Sequence, residues 1–91
     1  MKRASGESLV ALEALLRELR SLAGVTERKP GIFYRQGGAF LHFHEDPAGP
    51  FADVKLDGAA FSRWPVNTED ERALLLTQVR WALVAGRRGG L

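Results

Sequence analysis

Two histidines and the carboxylates near them carry most of the chemistry that this sequence offers. His42 and His44 are the two histidines of the chain; Glu45 and Asp46 follow them directly, and Asp53 comes after an intervening turn. Imidazole titrates near neutral pH, and zinc and non-haem iron accept both imidazole and carboxylate ligands. These residue types suit a metal site or a general acid–base pair. They are also typical of a structural pair in which a histidine donates a hydrogen bond to a half-buried aspartate.

The spacing of these residues indicates that they lie together on one face of a sheet. We predict a strand over Ala39–His44, in which His42 and His44 point to the same side about 6 to 7 Å apart. A turn rich in Asp, Pro and Gly then leads into a third strand over Phe51–Asp57. If His44 faces Phe51 across that turn, His42 faces Asp53. The candidate functional cluster on this face is His42, His44, Asp53, Arg35 and Lys55, with His42, His44 and Asp53 as the metal ligands.

The register of the hairpin before the histidines determines which residues lie on each face of the sheet. We expect Gly37 and Gly38 to form a two-residue turn, since such turns require positive φ at both positions. The strand over Ile32–Gln36 then pairs with Ala39–His44, and Phe33 lies opposite His42. With this register one face is the core, formed by Ile32, Tyr34, Leu41, Phe43, Ala52, Val54 and Leu56. The second face carries Phe33, Arg35, Phe40, His42, His44, Phe51, Asp53 and Lys55.

Three phenylalanines on that second face predict a partner. Phe33, Phe40 and Phe51 would form an apolar patch, which a solvated sheet face does not normally expose. A second copy of the chain can cover it, and small domains gain stability from oligomerisation. We therefore expect a homodimer with these phenylalanines at its interface. The alternative is a monomer with one helix on each side of the sheet.

Amphipathic helices are expected at both ends of the chain. Leucines recur at spacings of three and four from Ser8 onward, and Gly24 can end that helix. The second helix begins near Thr68, which forms a capping box with Glu71, and ends at Gly86. Each helix has one apolar stripe, so both can pack on the core face of the sheet.

These elements predict an α+β fold with a helix, a three-stranded antiparallel meander and a C-terminal helix. The segment from Gly58 to Val66 is compatible with an irregular segment, a short helical turn or a brief fourth strand. We expect residues 1–91 to form one domain, with flexible tails over 1–6 and 87–91.

Composition limits the classes of function. The chain of 91 residues has no cysteine, which excludes disulfides and thiolate sites, and it has no apolar run of membrane-spanning length. No apolar segment follows Lys2 and Arg3, so we expect no secretory signal and a cytoplasmic protein. The net charge is +2. Four basic residues lie at the ends and the body between them is slightly acidic, so nucleic-acid binding is not expected.

The stretches Gly24–Glu27 and Gly37–Asp46, together with Phe33 and residues 68–85, resemble a bacterial and fungal family of unknown function. That family is loosely labelled "luciferase-like domain". The resemblance implies a leading helix, a hairpin whose second strand carries His-x-His before an acidic turn, and a closing helix. It carries no implication of light emission.

We therefore expect a small binding module that self-associates through the face carrying the histidines and phenylalanines. The alternatives are a metal-binding protein or small enzyme using His42, His44 and Asp53, and, less favoured, a nucleic-acid-binding protein. No cofactor is expected beyond a divalent metal ion at those three residues. No membrane partner is expected, and the sequence does not identify a small-molecule ligand.

Overall fold

The fold is α+β, as predicted. A computed structural model describes the backbone of residues 6–88 and the side chains of residues 12–85. In chain order the elements are α1 (Gly6–Arg20), β1 (Thr26–Lys29), β2 (Ile32–Arg35), β3 (Gly38–Asp46), β4 (Gly49–Val54), β5 (Ser62–Pro65) and α2 (Glu69–Arg88).

The strands form one antiparallel sheet in the order β1-β2-β3-β4-β5. Leucines of α1 and α2 pack with apolar strand residues in a single core, so one side of the sheet is the helix-facing face. We call the opposite side the reverse face. Strand alternation and register place on it Thr26, Lys29, Ile32, Tyr34, Ala39, His42, His44, Asp46, Phe51, Asp53, Arg63 and Pro65.

The sheet has five strands where the sequence predicted three. β1 was missed because its sequence, TERK, is polar and mostly exposed, which is usual for a short edge strand. β5 corresponds to the brief fourth strand that was one of three alternatives for the Gly58–Val66 segment. It adds to β4 with Asp53 opposite Arg63.

The hairpin turn lies one residue earlier than predicted. Gln36 and Gly37 have φ values of 53° and 83°, and Gly38 already belongs to β3. The register also shifts once: Tyr34 pairs with Ala39 while Phe33 pairs with Leu41. Phe40 is thus the extra residue of a β-bulge, which leaves two consecutive apolar residues of β3 buried.

Because of this bulge, several residues of β2 and β3 lie on the opposite face of the sheet from the one predicted. Phe33 is 1% and Phe40 is 3% exposed, and both belong to the core cluster, so their predicted place on the second face was wrong. Ile32 and Tyr34, predicted in the core, lie instead on the reverse face by alternation with Phe33. Of the three predicted interface phenylalanines, Phe51 alone lies on the reverse face.

The helix boundaries agree only in part with prediction. The capping box is confirmed: the Glu71 amide donates to Thr68 Oγ1 at 3.1 Å, and Glu71 Oε1 accepts from the Thr68 amide at 3.0 Å. α1 ends at Arg20, before Gly24, and α2 continues through Gly86 to Arg88. Of the predicted flexible tails, Gly6, Arg87 and Arg88 are helical, and residues 1–5 and 89–91 lie outside the described residues.

Across the part of the chain that the structure describes, neither helix has the length and apolar character that a transmembrane crossing needs.

Candidate functional site

The β3–β4 hairpin aligns the histidines with Asp53 as the sequence predicted. His42 pairs with Asp53, and His44 pairs with Phe51. The connecting turn holds this register because Asp46 Oδ1 accepts a hydrogen bond from the Ala48 amide at 3.0 Å, and Gly49 takes a φ of 123°. No bulge interrupts this pair of strands, so alternation brings His42, His44 and Asp53 onto the reverse face.

These three side chains are in contact. The rings of His42 and His44 meet edge to face, with centroids 4.6 Å apart and an interplanar angle of 88°. His44 Nε2 lies 2.9 Å from Asp53 Oδ2. One candidate ligand atom from each of the three residues lies within 4.8 Å of the others. The two candidate roles of the sequence, metal ligands and a histidine–aspartate pair, therefore share one small cluster.

Arg63 also belongs to the cluster, although it is not among the residues predicted from the sequence. Its Nε donates to Asp53 Oδ1 at 2.9 Å, and its Nη2 donates to Asp53 Oδ2 at 3.1 Å. Both carboxylate oxygens of Asp53 therefore already have a donor. The signal that could have found Arg63 was the strand alternative for the Gly58–Val66 segment. Once that segment is paired antiparallel with β4, Arg63 falls opposite Asp53.

A second residue absent from the predicted cluster, Phe61, borders it. Asp57 Oδ1 accepts hydrogen bonds from the amides of Ala59 and Ala60 at 2.8 and 3.1 Å, which turns the β4–β5 loop back on itself. The Phe61 ring then lies 5.0 Å from the His42 ring. Lys55 Nζ lies 4.9 Å from the centroid of Phe61, which places this predicted residue at the edge of the cluster.

The charges of the cluster follow from these contacts. The hydrogen bonds from Arg63 hold the pKa of Asp53 below its usual range, despite partial burial. Burial, followed by the neighbouring His44, lowers the pKa of His42. At neutral pH Asp53 is therefore an anion and His42 is uncharged, which are the protonation states that a metal ion requires of these ligands.

Arg35, also predicted in the cluster, lies elsewhere. It pairs with Gly38 at the other end of β2, and its guanidinium lies 5.7 Å from the centroid of the buried Phe40 ring. Together with Trp81 and Ala82 of α2, it lines a cavity of about 450 Å³ on the helix side of the sheet. The prediction failed because nothing in the sequence indicates the extra residue at Phe40, and this bulge reverses the face of every residue of β2 relative to the histidines of β3.

Among the described side chains, the cluster has the donor types of a metal site and lacks the hydroxyl–imidazole bond of a serine nucleophile. Two imidazoles and one carboxylate leave open coordination positions on zinc or iron, at metal–ligand distances of about 2.0 to 2.2 Å. A serine-type mechanism would need a hydroxyl hydrogen-bonded to an imidazole. Within residues 12–85 no such bond exists, since the hydroxyl of Ser62 donates to the Val54 carbonyl and accepts from Trp64.

Comparison of this chain with protein-family models, with curated proteins and with solved structures gives no match. The resemblance to the luciferase-like family therefore stays a prediction. Self-association also stays a prediction, now with Phe51 as the one member of the proposed phenylalanine patch that the reverse face retains.

Proposed function

We propose that this domain binds a divalent transition-metal ion through His42, His44 and Asp53. The observation that carries the proposal is the meeting of one potential ligand atom from each residue within 4.8 Å. In a tetrahedral site with bonds of about 2.0 to 2.1 Å, ligand atoms are roughly 3.4 Å apart. Small rotations of the side chains are enough to reach this distance, because His42 and His44 border solvent.

The strand framework supports this arrangement. Neighbouring strands lie about 4.8 Å apart, so the strand pairing itself holds His42 and Asp53 side by side. His44, two positions along β3, adds the third ligand from the same side. Three protein ligands leave at least one position for water or a bound molecule, as in catalytic rather than structural zinc sites.

Arg63 would compete with a metal ion for the carboxylate of Asp53. Its guanidinium occupies both oxygens of Asp53, and a bound cation would have to displace at least one of these hydrogen bonds. Its side chain is 44% exposed and can turn away into solvent. We infer that metal and guanidinium compete for the same carboxylate, so removing the guanidinium charge should strengthen metal binding.

Thermal unfolding with and without metal tests the proposal. A ligand that binds only the native state at a hundredfold excess over its Kd adds about 2.7 kcal/mol of stability. Zinc, manganese and iron(II) are titrated under anaerobic conditions where needed, and binding is measured by calorimetry. We expect a raised Tm and one ion per chain for at least one metal, and loss of both in His42→Ala, His44→Ala and Asp53→Asn.

Two further variants separate a specific site from weak binding to exposed acids. Arg63→Gln should raise the metal affinity, because it frees Asp53 without removing a ligand. Glu18→Gln, which removes an exposed carboxylate from α1, should leave the affinity unchanged. Equal affinity in wild type and His44→Ala, or weaker binding in Arg63→Gln, would contradict the proposed site.

A further inference from the structure

The charged residues of this domain are distributed unevenly between the reverse face of the sheet and the rest of the molecule. The reverse face carries Lys29 and Arg63 against two acids, Asp46 and Asp53. Arg28, which lies over the Tyr34 ring, and Lys55, which follows Val54 and lies over the Phe61 ring, add two further cations. The rest of residues 12–85 has five basic residues and eight acidic ones. Its acidic residues are Glu13, Glu18, Glu27, Glu45, Asp57, Glu69, Asp70 and Glu71.

The two acids of the reverse face offset its cations only in part. Asp53 is paired with Arg63 and raises the pKa of its guanidinium, and Asp46, which keeps its charge at the β3–β4 turn, raises that pKa further by its attraction. Arg28, Lys29 and Lys55, by contrast, form no salt bridge with a carboxylate within the described residues. A ligand approaching this face therefore meets three unneutralised cations spread from β1 to the end of β4.

Aromatic rings lie beside these cations. The guanidinium of Arg28 is 4.9 Å from the centroid of Tyr34, Lys55 Nζ is 4.9 Å from that of Phe61, and Arg63 is 5.7 Å from that of Phe51. Phe61 is 42% exposed. Each pair combines a flat ring with a flexible positive charge that can move to a neighbouring anion. Among the described residues no helix covers these rings, because both helices pack in the core on the other face.

We propose that the reverse face binds single-stranded nucleic acid, with bases stacked on Phe61, Phe51 and Tyr34 and phosphates held by Arg28, Lys29 and Lys55. A polyanion alone would need only the charges, and an apolar partner alone would need only the rings. Single strands present charge and flat π surfaces in alternation, and proteins bind them by combining basic grooves with aromatic platforms. The inference extends beyond metal binding and does not depend on it.

The charge part of the proposal is tested by fluorescence anisotropy with a labelled single strand of about 12 nucleotides, in EDTA so that no metal contributes. If three cations contact phosphates, the logarithm of the affinity should fall with the logarithm of salt with a slope of about −2, at about −0.7 per contact. Arg28→Gln/Lys55→Gln should make that slope shallower by about 1.4. The matched control Arg17→Gln/Arg80→Gln removes the same charge from the helices and should change the affinity less than about twofold.

The ring part of the proposal is tested by Phe61→Ala, which should weaken binding about tenfold, since one base–ring stack is lost. Trp81→Ala is the matched control, because Trp81 is 69% exposed on α2, away from the reverse face. It should bind as wild type does. A duplex of the same sequence should bind more weakly than the single strand, because its bases are not free to stack on the rings.

Four results would overturn the proposal. The first is absence of binding at low salt, and the second is equal loss in the control variants and the reverse-face variants. The third is loss of binding in Lys2→Gln/Arg3→Gln/Arg87→Gln/Arg88→Gln with none in Arg28→Gln/Lys55→Gln, which would assign binding to the chain ends. The fourth is equal competition by inorganic polyphosphate together with unchanged affinity in Phe61→Ala, which would indicate a general polyanion surface. Because metal is absent throughout, each result is independent of the His42–His44–Asp53 site.

Discussion

The two faces of the sheet use the same kind of residue in opposite ways. On the helix-facing face, Phe33 and Phe40 are almost fully buried under the leucines of α1 and α2. On the reverse face, Phe51 and Phe61 lie beside cations, with Phe61 42% exposed. The phenylalanines of the first face stabilise the fold, and those of the second are partly exposed. A phenylalanine in this sheet therefore has no fixed role, and the strand register decides which role it takes.

The largest expected effect comes from truncating one phenylalanine on each face. Phe33→Ala leaves a cavity in the core and should lower the free energy of unfolding by about 3 to 5 kcal/mol. Phe51→Ala, at a half-buried position on the reverse face, should cost about 1 kcal/mol, since less apolar surface is lost. Urea unfolding followed by circular dichroism measures both. Similar losses in the two variants would mean that the reverse face is covered in solution, as the predicted homodimer requires.

The sequence predicts the pairing of β3 with β4 correctly and that of β2 with β3 incorrectly, because only the second pair contains a bulge. The β3–β4 pairing was predictable because a turn built from Asp, Pro and Gly joins two regular strands, and this alone placed His42 opposite Asp53. The β2–β3 pairing was not predictable, because the extra residue at Phe40 does not alter the pattern of residue types in an apolar run. Phe33 and Arg35 were therefore given to the wrong face. Arg63 required β5, which is only four residues long.

Each side of the sheet also has a carboxylate bound by an arginine, and the two pairs differ in their surroundings. Asp53 is bound by Arg63 next to two imidazoles. Glu27 on β1 is bound by Arg20 of α1 and also accepts from the Gly31 amide at 2.8 Å. The second arrangement connects a helix, a strand and a turn, and no histidine adjoins it. We therefore expect Glu27 to contribute to stability, while Asp53 belongs to the proposed metal site.

Glu27→Gln tests this expectation with an effect of intermediate size. Losing the charged acceptor of the Gly31 amide should lower the free energy of unfolding by about 1.5 kcal/mol at pH 7. Metal affinity at His42, His44 and Asp53 should not change. Stability is measured by urea unfolding and affinity by calorimetry on the same samples. A large loss of metal affinity in Glu27→Gln would show that the two carboxylates do not act separately.

The pH dependence of the same variant gives a sign that can be checked. Arg20 holds the pKa of Glu27 below its usual range, so the native state binds the proton more weakly than the unfolded chain does. The stabilisation is complete above the ordinary glutamate pKa of about 4.3 and is lost as the pH falls through the lower pKa of the native state. The stability difference between wild type and Glu27→Gln should therefore shrink as the pH falls below about 4. A difference that grows on acidification would contradict the proposed ion pair.

The smallest expected effect distinguishes the observed position of the β2–β3 turn, Gln36–Gly37, from the predicted position, Gly37–Gly38. Gly37 has a φ of 83°, and a Cβ added there would meet no atom within 4 Å, so Gly37→Ala suffers only the conformational penalty of about 1 kcal/mol. Gly38 lies outside the positive-φ region, and its added Cβ would lie 3.9 Å from the Arg35 carbonyl oxygen, an ordinary contact. Gly38→Ala should therefore leave the stability unchanged or raise it by about 0.5 kcal/mol through the unfolded chain. A turn over Gly37 and Gly38 would instead penalise both variants alike.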